Sequence, residues 1–141
     1  MAAQDQPDHD VIAIGAGFAG LGLIHYIREA GLSIKVFDRA TDIGGTWTWN
    51  RYPGAATDSE GYYYCLTFSK EILQEWTWSE RYPGWDETNR YMHFVADKCD
   101  MWPNIQLDTE IVSAVFQENR GLWLVTTANG DTHTCKYFIK N

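Results

Sequence analysis

The sequence is poor in basic residues and in long apolar runs, and each shortage excludes a class of partner. Eleven Lys and Arg residues stand against nineteen Asp and Glu residues, which gives a formal net charge of −8. Such an acidic chain is unsuited to binding nucleic acid or an anionic membrane surface. No apolar run approaches the roughly 20 residues that a membrane-spanning helix needs. We therefore expect neither nucleic acid nor a membrane among its partners.

Cysteine is also scarce. Cys65, Cys99 and Cys135 are odd in number and widely spaced, with no C-x-x-C pair. This pattern predicts reduced thiols rather than a disulfide framework or a zinc site. The first ten residues are polar and acidic, without the apolar segment of a secretory signal peptide. Together these features predict a cytoplasmic protein with a disordered lead-in over residues 1–8 and one domain over residues 9–141.

Residues 11–38, VIAIGAGFAGLGLIHYIREAGLSIKVFD, have the pattern of a strand, a glycine-rich turn, a helix and a second strand. Gly15, Gly17 and Gly20 have the spacing G-x-G-x-x-G. In a dinucleotide-binding fold the first glycine makes the tight turn, the second lets backbone approach the pyrophosphate, and the third lets helix and strand pack closely. The helix N-terminus offers unpaired N–H groups to the phosphates. The alternative is an ordinary strand-to-helix turn that is rich in glycine.

Asp38 ends the second apolar run. A carboxylate at this point can accept hydrogen bonds from both hydroxyls of a ribose, and it would repel a 2′-phosphate. The site is therefore predicted to take FAD or NAD rather than NADP.

Aromatic residues are abundant, with seven Trp, eight Tyr and six Phe. Residues 39–54 show neither helical nor strand periodicity, and long loops in compact domains are usually functional. Gly44 and Gly45 allow backbone to lie against a ligand, while Trp47 and Trp49 alternate as if they flank a flat one. The alternative is a small aromatic core beneath a loop.

The rest of the chain changes from helical to strand periodicity near residue 103. Helices are predicted over residues 69–76 and 86–101, with Ser69 and Asp86 as N-caps. Strands are predicted over residues 105–107, 111–116, 122–127 and 132–139, and Asn129-Gly130 is typical of a hairpin. The fold class is therefore α/β: a partial doubly wound, Rossmann-like domain with three to four parallel strands plus an antiparallel β-meander, whose last strand returns into the parallel sheet.

The segment GGTWTWNRYPGAATD, residues 44–58, joined to GAGFAG upstream, resembles the N-terminal FAD-binding part of the Baeyer–Villiger monooxygenases, which are class B flavoprotein monooxygenases. The likeness continues through YYYC, QEW and FVADK and covers nearly the whole chain. It implies FAD as the cofactor, with NADPH bound only by a complete family member. A complete member uses NADPH and O2 to oxidise a ketone to an ester or lactone.

The resemblance also implies roles for individual residues. The FAD pyrophosphate would be held by Gly15, Gly17, Phe18, Ala19 and Gly20, with Asp38 on the adenosine ribose, where the family usually has Glu. Arg39 would lie near the adenine, and Ile111 would touch it through its backbone. The cofactor would also contact Gly45, Thr46, Trp47, Trp49 and Tyr64. Asp58 matches the family's active-site aspartate and is the candidate catalytic residue. Taken alone, it fits a turn or cap acid equally well.

Family members are several times longer and carry a second G-x-G-x-x-G domain for NADPH, a fingerprint F-x-G-x-x-x-H-x-x-x-W-P and a catalytic arginine. None of these has a match in the 141 residues.

Three hypotheses follow. The chain is the FAD-binding portion of such an enzyme, or a stand-alone truncated relative that binds a hydrophobic metabolite or catalyses a non-redox isomerisation or cyclisation. Otherwise it is another FAD- or NAD-binding oxidoreductase. A small hydrophobic ketone is the expected ligand. Homo-oligomerisation, most simply as a dimer, or a missing C-terminal part is expected to cover the open sheet edge.

Overall fold

The computed structural model describes residues 5–141, and six strands form one sheet. The strands are β1 (His9–Ile14), β2 (Ile34–Phe37), β3 (Ile105–Gln106), β4 (Ile111–Gln117), β5 (Leu122–Thr127) and β6 (Thr132–Lys140). Their order is β3-β2-β1-β6-β5-β4. β3, β2, β1 and β6 are parallel, whereas β5 pairs antiparallel with both β6 and β4. The predicted α/β class, with four parallel strands and a meander, is confirmed.

β6 belongs to both parts of this sheet. Its first half pairs with β5, where Cys135 lies opposite Trp123, and its second half pairs with β1, where Lys140 lies opposite Ile14. The predicted return of the last strand into the parallel sheet is therefore confirmed. This return brings the residue after β6 next to the turn that follows β1.

The helices are α1 (Phe18–Glu29), α2 (Thr46–Trp49), α3 (Lys70–Glu75) and α4 (Trp85–Lys98), with a 3-10 turn at Trp102–Asn104. α1 buries Leu21 and Ile24 in the main core. It ends as predicted at Gly31, which has φ +75° and donates its N–H to the carbonyl of Arg28 at 2.9 Å.

Three local predictions were wrong. Asp86 is not an N-cap, because α4 begins one residue earlier, after Gly84, whereas Ser69 does occupy the predicted N-cap position of α3, without a side-chain hydrogen bond. α4 also ends at Lys98 rather than near residue 101. The stretch expected to lack helical structure contains α2, whose last turn is closed by the N–H and side-chain amide of Asn50, both bonded to the Thr46 carbonyl.

Two apolar cores lie on opposite faces of β1, as the two-residue period of a strand requires. Val11 and Ala13 join the core that includes α1 and α4. Ile12 instead packs with Phe37 and with Val125 of the meander. The meander therefore supplies the apolar partner for the face of the parallel sheet that carries Ile12.

The predicted lead-in lies partly outside the described residues, which begin at Asp5. Within them, the Asp8 carboxylate accepts from the N–H and hydroxyl of Thr134 at 2.7 and 2.9 Å. Among the helices of residues 5–141, none has the length and apolar character needed to cross a bilayer.

Candidate dinucleotide-binding site

The turn between β1 and α1 is shaped by its first and third glycines. Gly15 has φ +101°, a backbone angle that residues other than glycine rarely adopt. Its N–H donates to the Phe37 carbonyl at 2.8 Å. A Cβ on Gly20 would lie 2.1 Å from the Gly15 carbonyl oxygen. The third glycine is therefore required for the close packing of helix on turn, as predicted.

The N-terminus of α1 has no side-chain cap. The twelve-residue helix has Gly17 as its N-cap, without a side-chain hydrogen bond, and no acidic residue lies in its first turn. The first N–H groups of a helix have no partner within it and carry positive partial charge. This end of α1 is thus suited to an anion such as a phosphate.

A second glycine segment packs against this turn. The Gly44 N–H donates to the Ala16 carbonyl at 3.0 Å. A Cβ on Gly45 would lie only 3.1 Å from the Gly17 Cα, and Gly45 itself has φ +55°. The two segments can approach this closely only because both residues are glycine.

Between these segments lies an open groove of about 330 Å³, which we term the glycine groove. Its lining residues are Gly15, Gly17, Phe18, Ala19, Gly20, Gly44, Gly45, Thr46, Trp47, Tyr64 and Asn141. Nine of the predicted cofactor-binding residues are therefore brought together in one place. Asn141 was not predicted, although the return of β6 beside β1 is the signal that could have placed it there.

Aromatic contacts hold one side of the glycine groove. Trp47 is 7% exposed, and its Nε1 donates to the Tyr64 hydroxyl at 3.2 Å. Tyr64 in turn packs edge-on against Phe18 at 4.9 Å between ring centroids. Behind them, Phe18 stacks with Tyr91, and burial raises the pKa of Tyr91 to about 12. Tyr91 therefore keeps its proton at physiological pH.

A second space, which we term the Arg39 pocket, has a volume of about 560 Å³. The Arg39 guanidinium lies 5.2 Å from the centroid of the Trp49 ring, in cation–π geometry. The other lining residues come from the loop before β4, the end of β5 and the β5–β6 turn: Asp108, Thr109, Glu110, Thr127, Ala128 and Asn129. Trp47 and Trp49 therefore face different spaces, because the turn of α2 directs Trp47 to the glycine groove and Trp49 to the Arg39 pocket.

Asp38 lies in the structure behind the turn. Its carboxylate accepts from the Ala16 N–H at 2.7 Å and from the Ala40 N–H at 2.9 Å, and the residue is 7% exposed. Each oxygen thus already accepts one backbone hydrogen bond, and a carboxylate oxygen can accept a second. Asp38 thus connects the turn after β1, which contains Ala16, to the loop after β2, which contains Ala40.

Asp58 and Ile111 line neither space. Asp58 is exposed, and it follows Thr57, whose N–H donates to the Pro83 carbonyl. Ile111 is half-buried at the start of β4 and packs against the second core, whereas the preceding Glu110 lines the Arg39 pocket.

Two residues of α4, which were not predicted as site residues, hold the glycine segment from behind. The side-chain amide of buried Asn89 donates to the Ile43 carbonyl at 2.8 Å. One turn later, His93 Nε2 lies 2.8 Å from the Asp42 carboxylate. Their distance in sequence from the glycines hides this role, and only the polarity of Asn89 on a buried helix face could have indicated it.

Comparison with known proteins agrees with this geometry. The NAD(P)-binding Rossmann-like domain family matches residues 14–76. Acetone monooxygenase (methyl acetate-forming) of Gordonia sp. strain TY-5 is 48% identical over 92% of the chain, and a Baeyer–Villiger monooxygenase of Pseudooceanicola batsensis is 45% identical over 94%. The chain belongs to the Baeyer–Villiger monooxygenase family.

The match is to one region of these Baeyer–Villiger monooxygenases. The chain spans about 24% of the length of each of the two relatives and matches only their N-terminal cofactor-binding region. The structure titled oxidized steroid monooxygenase bound to NADP is 42% identical, with a TM-score of 0.91 over 94% of this chain and 25% of that one. The resemblance inferred from the glycine and aromatic motifs is therefore confirmed.

Proposed function

We propose that this chain is the FAD-binding portion of a Baeyer–Villiger-type flavin monooxygenase. When complete, such an enzyme would use NADPH and O2 to oxidise a small hydrophobic ketone to an ester or lactone. The observation that carries the proposal is the glycine groove, where two glycine segments meet beside the open N-terminus of α1. The high identity to ketone-oxidising relatives supports the same reaction class.

The described residues fit the parts of FAD. The N–H groups of α1 and the glycine backbones suit the pyrophosphate. The Arg39 pocket offers a flat cation–π pair for the adenine, and Ile111 follows the residue that lines it. The unused acceptor capacity of Asp38 suits the ribose, and a carboxylate there disfavours a 2′-phosphate. Bound FAD would supply the redox chemistry, while the protein binds and orients it.

Other residues take supporting roles in this proposal. Thr46, Trp47 and Tyr64 form the wall that would face the flavin side of the cofactor. Trp47 and Tyr64 fix each other through their hydrogen bond, so the wall is held before the cofactor arrives. Asp58 is assigned as the catalytic residue on the family pattern, and its exposed carboxylate is accessible to groups outside this chain.

A fluorescence titration with FAD tests the proposal. In Gly45→Ala the new Cβ would lie 3.1 Å from the Gly17 Cα and would meet an unfavourable φ, so the groove must distort. We expect at least a tenfold weaker affinity for FAD. Gly31→Ala is the matched control, because it introduces a similar positive-φ strain where nothing lies within 4 Å. No FAD binding by the parent chain, or equal loss in both variants, would refute the assignment.

Compartment and assembly belong to the same proposal. Free Cys65, Cys99 and Cys135 support a cytoplasmic location. Exposed aromatic side chains, including Tyr62 and Tyr63, support a covering partner, either a second copy of this chain or the rest of the enzyme. Light scattering at high concentration would distinguish a dimer from a monomer of 16.2 kDa.

A further inference from the structure

Two loops of the chain lie side by side. The first, residues 55–61, ends just before Tyr64, which lines the glycine groove, and the second, residues 81–85, leads into α4. Backbone hydrogen bonds of 2.9–3.0 Å join the two loops, among them one from the Gly61 N–H to the Arg81 carbonyl. The second loop therefore supports the backbone that leads to the groove wall.

The same loops are joined by an ion pair between Arg81 and Glu60. Arg81 Nε donates to Glu60 Oε1 at 2.7 Å, and Arg81 Nη2 donates to the same oxygen. The Arg81 side chain is 69% exposed, whereas that of Glu60 is only 14% exposed. The other oxygen, Glu60 Oε2, is buried, and no group within residues 5–141 donates to it. A mostly buried carboxylate that loses its partner is strongly unfavourable, so the position of Glu60 depends on Arg81.

The backbone of Glu60 connects this ion pair to the groove. The Glu60 carbonyl accepts from the N–H groups of Tyr63 and Tyr64 at 2.9 and 3.0 Å, which closes a turn ending at Tyr64. The Tyr64 hydroxyl accepts from Trp47 Nε1 at 3.2 Å, and both of these side chains line the glycine groove. A continuous series of contacts thus runs from Arg81 to the groove wall.

The segment that carries Arg81 is itself fixed to α4. Buried Glu87 on that helix accepts from the N–H and the hydroxyl of Ser79 at 2.7 and 2.8 Å. The Trp78 ring lies so close to Gly61 that an added Cβ there would be 2.8 Å from it. Arg81 therefore projects from a supported segment, and it can set the position of Glu60 rather than follow it.

We propose that Arg81 and Glu60 are positioning residues for the cofactor, because their ion pair holds Tyr64, and through it Trp47, in the wall of the glycine groove. Neither Arg81 nor Glu60 lines the groove itself. That the bound molecule is FAD rests on the proposed function, whereas the position of Tyr64 can be followed without any ligand. A pair with a purely structural role would stabilise the fold and leave the groove of the folded protein unchanged.

Nuclear magnetic resonance of the 141-residue chain follows the Trp47 indole N–H, whose signal reports the bond to Tyr64. Its loss in Trp47→Phe identifies this signal. We expect Arg81→Leu to shift it and to weaken FAD binding about three- to tenfold in a fluorescence titration, because the wall is formed in only a fraction of the molecules. Both measurements are made where circular dichroism shows the variant to be fully folded.

Arg90→Leu is the matched control. It removes an exposed arginine from another ion pair, in which Arg90 lies 3.5 Å from Asp86 on α4. Neither Arg90 nor Asp86 lines the glycine groove, so both the Trp47 signal and the FAD affinity should stay as in the parent chain.

Changes at Glu60 separate the hydrogen bonds from the packing of the side chain. Glu60→Gln keeps an oxygen that can accept from Arg81, so it should retain the parent signal and FAD affinity. Glu60→Leu removes the acceptor and should reproduce the effects of Arg81→Leu. The combined Arg81→Leu/Glu60→Leu variant also removes the buried charge, and it carries the test if Arg81→Leu fails to fold. Its effects should not exceed those of either single variant, since all three break the same pair.

Three results would overturn the proposal. The first is a Trp47 signal that is unchanged in folded Arg81→Leu or in the combined variant, which would mean that Tyr64 keeps its place without the ion pair. The second is an unchanged FAD affinity beside a shifted signal. The third is an equal response in Arg90→Leu. If the parent chain binds no FAD, the proposed function fails, while the Trp47 signal still decides whether the pair positions Tyr64.

Discussion

Replacing Asp38 by alanine removes a brace from the fold as well as a proposed ribose acceptor. The carboxylate accepts from two backbone N–H groups, those of Ala16 at 2.7 Å and Ala40 at 2.9 Å. Ala16 belongs to the turn after β1, and Ala40 to the loop after β2. Without the carboxylate, both N–H groups lose their acceptor. The site is largely shielded from water, since Asp38 is only 7% exposed.

The expected loss of stability follows from these two bonds. A hydrogen bond to a charged group contributes about 1.5–3 kcal/mol, so two give about 3–6 kcal/mol. We expect a value near the lower end, about 3 kcal/mol, because water can enter the space left by the missing carboxylate. That is a large share of a typical unfolding free energy of about 5–15 kcal/mol. Asp38→Asn should lose about half as much, since its amide oxygen can accept one of the two bonds.

Urea unfolding followed by tryptophan fluorescence and circular dichroism measures this loss. Asp131→Ala is the control, because it removes an exposed carboxylate in the β5–β6 turn and should change the unfolding free energy by less than about 0.5 kcal/mol. A second readout is FAD affinity, measured where the variant is fully folded. If Asp38 also accepts from the ribose, that affinity falls at least tenfold. An unfolding free energy for Asp38→Ala within about 0.5 kcal/mol of the parent would refute the bracing argument.

Three further perturbations test other parts of the structure. Asn89→Leu removes one bond to the Ile43 carbonyl, which should lower the unfolding free energy by about 1 kcal/mol, seen as a lower urea midpoint with an unchanged slope; no change would mean that the bond is not made in solution. Tyr64→Phe leaves Trp47 Nε1 without its acceptor and should destabilise the fold by about 1 kcal/mol, seen as a lower melting temperature; an unchanged melting temperature would contradict a stabilising role of this bond. Asp10 has its pKa lowered to about 2, chiefly by a hydrogen bond from Lys136 on β6, so its stabilisation is present above pH 3.8 and is lost as the pH falls towards 2. Asp10→Asn should therefore show a shallower loss of structure over that range by circular dichroism, and identical acid curves would contradict the assignment.

Local sequence signals were sufficient for the strand-turn-helix unit and for most of the glycine groove. Gly15 and Gly20 act through backbone conformation and close contact within a few residues, which a spacing pattern records directly. The return of β6 was predictable as well, because its final residues are apolar where it joins the parallel sheet. These features depend on short stretches whose geometry is nearly fixed by residue type.

The orientation of the aromatic residues could not be predicted in the same way. Trp47 and Trp49 are two residues apart, which suggests one face in extended chain but opposite directions in the turn of α2. That turn follows Gly45, which packs so closely on Gly17 that an added Cβ would lie 3.1 Å from the Gly17 Cα. The side-chain directions are thus set by a tertiary contact. A pattern of residue types cannot express such a contact.

The two walls of the glycine groove therefore differ in how they are held. The first, after β1, is fixed locally, whereas the second relies on α4, where Asn89 and His93 hold residues 42 and 43 just before the glycine pair. The same helix buries Tyr91 and Val95 in the main core. The packing of α4 on the main core and the shape of the glycine groove are consequently coupled. By linkage, a ligand that binds only the folded groove stabilises the fold by about 2.7 kcal/mol at a hundred times its Kd. Weakening the hold of α4 then lowers ligand affinity by the fraction of molecules in which the groove is no longer formed, although neither Asn89 nor His93 lines the groove.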